Sequence, residues 1–166
     1  MTRPAAAFLA VLLFAALLMG GRAAEAACVG CTCTVSAVTL DFGIYVPNAV
    51  SPTDSTGKVS VRCSLLGTGL LPALVSYDVG LSAGSWGAVS ERKMRSSNHR
   101  LSYNLYADAA RSRIWGDTGS SDQVTVSYGT ALFGTWVDTP VYARLFARQN
   151  VKAGSYTDTI VVTVSY

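Results

Sequence analysis

The chain has 166 residues, 50% hydrophobic and only 14% charged, with 13 basic against 10 acidic side chains and a net charge of +3. That balance is too mild to argue for a nucleic-acid partner. A single histidine, His99, excludes multi-histidine metal sites and leaves histidine-based catalysis hanging on one residue. The charged fraction is also low against the ~25% usual in soluble domains, as expected of a surface that other proteins cover.

The first predicted element is a leader. Ala5 to Met19 is an unbroken apolar run, preceded by Arg3 and followed by Gly20-Gly21 and then Ala24-Glu25-Ala26. A basic start, a short apolar stretch and an A-x-A site predict a secretory signal peptide over residues 1–26, cleaved after Ala26 or Ala27. The run is shorter than the ~20 residues that span a bilayer. No later stretch approaches that length, so the mature protein, residues 27–166, is expected not to span a membrane. With Arg3, Arg22 and Glu25 removed, its net charge is +2. Glu25 stands where a lipidation signal wants an aliphatic residue, which argues against lipid attachment at Cys28.

All four cysteines, Cys28, Cys31, Cys33 and Cys63, lie in the mature part. Export to an oxidising compartment makes disulfides the first reading, with three connectivities open. Cys33 opens an alternating run with Val35 and Ala37, and Cys63 closes one with Val59 and Val61. Two neighbouring strands presenting cysteines to one face favour a Cys33–Cys63 bridge, with Cys28 and Cys31 pairing locally or staying free. The thiolate-dense Cys28 to Cys33 stretch lacks the second ligand cluster that zinc normally requires, so no metal site and no cofactor are expected.

Period-2 alternation then continues down the chain. It runs through Leu40, Phe42 and Ile44, where the parity set by Cys33 breaks and predicts a bulge or sheet switch near Val38-Thr39. It resumes through Val75 to Leu81, Leu101 to Ala107, Val124 to Tyr128, Val141 to Ala147 and Ile160 to Tyr166. Turn signals separate these runs, among them Pro47-Asn48, Ser82-Ala83-Gly84 and Gly116-Asp117-Thr118-Gly119. About seven short strands predict an immunoglobulin-like β-sandwich. The last run is long, β-branched and reaches Tyr166, which predicts an exposed hydrophobic edge.

Several segments between the strands stand out. Residues 65–74, with Leu70, Leu71 and Leu74, and 130–136, with Leu132, Phe133 and Trp136, are hydrophobic where loops are usually polar. They read as a contact surface or as flaps folded over the sandwich ends. Arg92, Lys93, Arg95 and Arg100 read as a solvated hairpin, the alternative being a site for an anionic polysaccharide or lipid headgroup. His99 sits in a polar loop stretch and is not expected to be catalytic. The carboxylates are scattered, with no close pair for glycosidase work, and no phosphate-loop or EF-hand pattern occurs.

Six of these stretches occur in the order seen in one family. They are Leu40-Asp41-Phe42-Gly43-Ile44-Tyr45, Val59 to Cys63, Tyr77 to Gly84, Leu101 to Asp108, Ile114-Trp115-Gly116-Asp117, and Gly154-Ser155-Tyr156-Thr157-Asp158-Thr159 with the strand that follows. In these the mature chain resembles the spore coat protein U family, which is similar to the subunits of archaic chaperone–usher pili. The resemblance implies a sandwich lacking its last strand and completed by a donor strand. A periplasmic pilus chaperone would lend that strand first, and another pilus subunit would replace it at the outer-membrane usher. It implies a groove edge at Ile160, Val162, Val164 and Tyr166 and a structural role for Trp115-Gly116-Asp117. Asp158, inside the last-strand motif, is expected to bond nearby backbone and help fix the entry of that strand.

A donor segment needs ten or more alternating residues, whereas only Ala27 to Thr32 precede Cys33. The expectation is therefore a non-enzymatic tip or minor subunit that accepts a strand without giving one. It would be exported through the periplasm to the cell surface and act in adhesion and biofilm formation. The alternatives are a spore or cell-surface coat or matrix protein and a self-complete carbohydrate-binding module.

Overall fold

The computed structural model describes residues 31–65, 74–129 and 134–166. The leader, Cys28, and the loop residues Leu70, Leu71, Leu132 and Phe133 lie outside the described residues. Those described are all β-strand, turn and irregular backbone, with no helix among them.

The strands are β1 (Cys31–Ala37), β2 (Thr53–Leu65), β3 (Leu74–Leu81), β4 (Arg92–Ser96), β5 (His99–Tyr106), β6 (Val124–Gly129), β7 (Val137–Leu145) and β8 (Val162–Ser165). They form a five-stranded sheet in the order β1-β2-β7-β5-β4 and a three-stranded sheet in the order β6-β3-β8. All pairings are antiparallel.

Alternation decides which side chains fill the gap between the sheets. Val59, Val61 and Cys63 of β2 are buried, as are Val75, Tyr77, Val79 and Leu81 of β3 and Val141, Ala143 and Leu145 of β7. In β5 the pattern gives way to continuous burial from Tyr103 to Tyr106. Asn104 is held there by Arg92 and Ser90 O, and the segment of the wholly buried Trp115 runs alongside Leu105 and Tyr106: the Trp115 backbone N–H donates to Leu105 O at 2.9 Å and its indole Nε1 to Val79 O at 2.8 Å. One residue, through its backbone and its indole, thus ties β5 to β3 across the sandwich, the structural role expected of Trp115.

In the register of β1 on β2, Cys33 lies opposite Cys63, and the two form a disulfide. The bridge expected from their shared parity is present. Cys31 is disulfide-bonded as well; its expected pairing with Cys28 falls outside the described residues.

Two expectations are corrected. Leu40 and Phe42 turn inward after β1 ends, but Ile44 does not follow them: it is 91% exposed, and Tyr45 packs on the core instead. Gly43 intervenes with φ +70°, a left-handed conformation that suits glycine, and it breaks the alternation. The 91–100 hairpin is also not wholly solvated, because Arg92 is completely buried.

Candidate functional site: an open groove between the sheets

β8 pairs with β3 on one side only, Leu81 opposite Val162 through Asp78 opposite Ser165, and forms an edge of the smaller sheet. At the corresponding edge of the larger sheet β1 stops at Ala37, and its continuation over residues 38–52 forms no strand. Residues 151–161, leading into β8, make one bridge, in which the backbones of Arg95 and Thr157 exchange hydrogen bonds of 2.9 and 3.1 Å. Two extended segments therefore flank the sandwich edge with few backbone partners. Unpaired N–H and C=O groups beside apolar side chains are what an incoming strand uses.

Between these segments lies a groove made of two adjoining cavities of about 420 and 470 Å³ that share Leu40, Phe42, Met94 and Tyr156 in their walls. Its base reaches core side chains, with Val59, Leu81, Tyr103, Leu105 and Val141 lining the first cavity and Leu101 and Leu145 the second. A groove lined by apolar side chains and bordered by two extended segments suits an extended apolar segment better than a compact ligand.

The groove wall is held at its middle by Asp158. Its Oδ1 accepts from the backbone N–H of Ser85 and of Thr159, each at 2.8 Å, and its Oδ2 accepts from the Tyr103 hydroxyl at 2.8 Å. Gly84 takes φ +77°, and a Cβ there would fall 2.1 Å from Asp158 Oδ2, so only glycine lets the loop approach the carboxylate. Asp158 thus bonds backbone next to the last strand, as expected, and also reaches across to β5. Burial first, and then the bond to Asp158, push the Tyr103 hydroxyl far above the usual phenol range, so it stays a donor. Phe42 meets the Tyr103 ring edge-on, centroids 5.9 Å apart.

Of the expected groove-edge residues, Ile160, Val162 and Val164 are half-buried against the core, whereas Tyr166 lies beyond β8 and is exposed. The facing wall, Leu40, Phe42 and Tyr45, was not assigned to a site from sequence, although the parity break before Leu40 marks where it begins. Met94 and Tyr103 were missed because the groove's base is ordinary core. Of the hydrophobic loop residues, Leu74 opens β3, and Trp136 precedes β7 with the Arg62 guanidinium 4.9 Å from its ring centre.

His99 stands at the start of β5, opposite Ser96. Among the described residues no three His, Cys, Asp or Glu side chains group as metal ligands, and no helix is long and apolar enough to cross a membrane.

Comparison with known proteins gives similarities in sequence and in fold. Protein U of Myxococcus xanthus is 37% identical over 139 residues, 77% of this chain and 72% of that protein. In fold, the chain is similar to a structure of the CsuC–CsuE chaperone–tip adhesion subunit pre-assembly complex from the archaic chaperone–usher Csu pili of Acinetobacter baumannii. That match has a TM-score of 0.52 at 20% identity and covers 82% of this chain and 40% of the other. A chaperone–tip adhesin complex of CFA/I fimbriae biogenesis matches with a TM-score of 0.45 at 13% identity, over 80% of this chain and 42% of that one. The chain spans less than half the length of either structure. The fold is an immunoglobulin-like β-sandwich, and the model of the Spore Coat Protein U domain matches residues 22–163; the chain belongs to that family.

Proposed function

We propose that this protein is an exported, non-enzymatic structural subunit of an archaic chaperone–usher pilus, and that its groove accepts a β-strand from another chain. The observation that carries the reading is the open edge itself. β8, paired on one side only, and residues 38–45, which form no strand, border one apolar groove. An extended donor would pair with β8 and bury about five alternating apolar side chains, each contributing roughly 1.5–3 kcal/mol before the cost of ordering. A periplasmic chaperone would lend this strand first, and at the outer-membrane usher another subunit would supply it.

Residues 1–26 would direct export and be removed. The protein would then pass through the periplasm to the cell surface and contribute there to adhesion and biofilm formation. Residues from Cys31 onward are paired in the chain's own sheet and bridged by disulfide, so they are not free to serve a neighbour. This favours a tip or minor position, as an acceptor that does not donate, with the loops at 65–74 and 130–136 as its contact surface.

The test is a thermal melt of the oxidised mature protein with and without a synthetic peptide of alternating apolar residues. The peptide would come from the N-terminal segment of a pilus subunit encoded nearby. A large rise in Tm supports strand acceptance. A sharp, high transition indifferent to peptide would overturn it. The second reading, a coat or matrix protein, is favoured by the family's own description and predicts that indifference.

A further inference from the structure

The outer face of the β4–β5 hairpin breaks a rule of sheet construction. Arg95 and Arg100 lie directly opposite each other in the antiparallel register, where like charges are destabilising. Neither forms an ion pair with a carboxylate among the described residues. Glu91 is turned to Lys93, at 3.7 Å, and to the Ser102 hydroxyl, at 2.8 Å. Both guanidinium groups instead gather on one indole: the Arg95 and Arg100 carbons lie 4.3 and 5.3 Å from the Trp86 ring centre.

The backbone fixes this arrangement. Arg100 Nη1 donates to Trp86 O at 2.8 Å, and Arg95 Nε donates to Ser97 O. Each Arg spends one donor on orientation. Arg95 keeps both its Nη groups, and Arg100 its Nε and Nη2, without a protein acceptor among the described residues. Trp86 itself remains 37% exposed. The chain's net charge of +3 does not by itself concentrate cations anywhere, so this pairing is a local feature.

We propose that Trp86, Arg95 and Arg100 form a binding site for an acidic polysaccharide, distinct from the groove and independent of the strand-acceptor reading. The planar guanidinium forks take a carboxylate or sulfate group in charge-assisted, bidentate fashion. The exposed part of the indole offers an apolar surface for the C–H face of the pyranose that bears the anion. A bare phosphate chain would use the charges and leave the indole uncovered.

The test is binding of the full mature chain to alginate and to heparin, with dextran as a neutral polysaccharide and polyphosphate and double-stranded DNA as anions lacking a pyranose backbone. The proposal expects alginate and heparin to bind, and dextran, polyphosphate and DNA to bind at least about tenfold more weakly. The double variant R95A/R100A should lose at least about tenfold in alginate affinity, since it removes two charge-assisted contacts. R95K/R100K, which keeps charge and removes the planar forks, should fail to restore it. The control double variant R113A/R148A, placed elsewhere and matched in charge, should leave affinity unchanged, with thermal melts verifying that every variant folds. Equal losses in both double variants, full binding by R95K/R100K, or polyphosphate or DNA binding as tightly as alginate would each overturn the site.

Discussion

Arg92 carries a charge into the sandwich and finds carbonyl groups there instead of a carboxylate. Its Nε donates to Ser82 O at 2.8 Å, Nη2 to Leu81 O and Trp115 O at 2.7 and 2.8 Å, and Nη1 to Asn104 Oδ1 and Val89 O at 2.7 and 3.4 Å. Burial pulls the guanidinium below its usual pKa, while Tyr103, Asp158 and Asp117 oppose the shift. One side chain so fastens the end of β3, the Trp115 segment and β5. A lysine offers one compact ammonium in place of this fork. R92K is therefore expected to cost about 2 kcal/mol or more, read as a fall in the urea midpoint at unchanged slope; a change within experimental error would contradict the role.

Tyr77 gives a second prediction at this scale. Its ring is buried against Tyr128, and its hydroxyl has no hydrogen-bond partner among the described residues. Desolvation, with a smaller contribution from Tyr128, pushes its pKa from 10.0 up to about 12. The fold thus favours the protonated form. The associated stability is fully present below pH 10.0 and is lost as pH rises toward about 12. Y77F should match or exceed the wild type by about 1 kcal/mol near neutrality and should lose less between those two pH values. Melts at the two pH extremes check this, and parallel losses in both proteins would refute it.

At the scale of elements, the pairing of β1 with β2 bears on the groove directly, because the facing wall begins where β1 ends. The Cys33–Cys63 bridge joins residues 30 apart. A loop of that length predicts a loss of about 3–4 kcal/mol in C33A/C63A on the chain-entropy account. Thermal unfolding of the double variant under oxidising conditions measures it, and a loss under about 1 kcal/mol would mean that β2 alone holds β1.

This element also shows what the sequence can and cannot reveal. Parity alone located the bridge, and alternation located most strands, because one face of each is buried. The short, polar β4 escaped as a strand, since its inward residues are Arg92 and Met94 and only the first is deeply buried. Arg92 read as solvated because its acceptors are strand-end carbonyls brought together by the tertiary fold, which no residue pattern announces. Ile44 read as inward because a left-handed Gly43 resets the alternation. The apolar alternation of the last strand was legible in the sequence; the place of Leu40, Phe42 and Tyr45 in the facing wall required the structure.

For the whole molecule, the sandwich is well closed where Trp115 and Arg92 bind the sheets together and open along the edge between residues 38–45 and β8. Closed and open regions should differ in local stability, since segments with few backbone partners open most readily. The direct measurement is amide hydrogen exchange on the mature chain, with and without a C-terminal extension that adds an Asn-Gly turn and an alternating valine–threonine strand after Tyr166. If the groove accepts a strand, exchange over residues 38–45 and 158–166 is fast in the unextended chain. It should slow by at least about tenfold in the extended one, while β5 is unchanged. Exchange already slow in the unextended chain and unaltered by the extension would mean that the edge is closed and the protein is no strand acceptor.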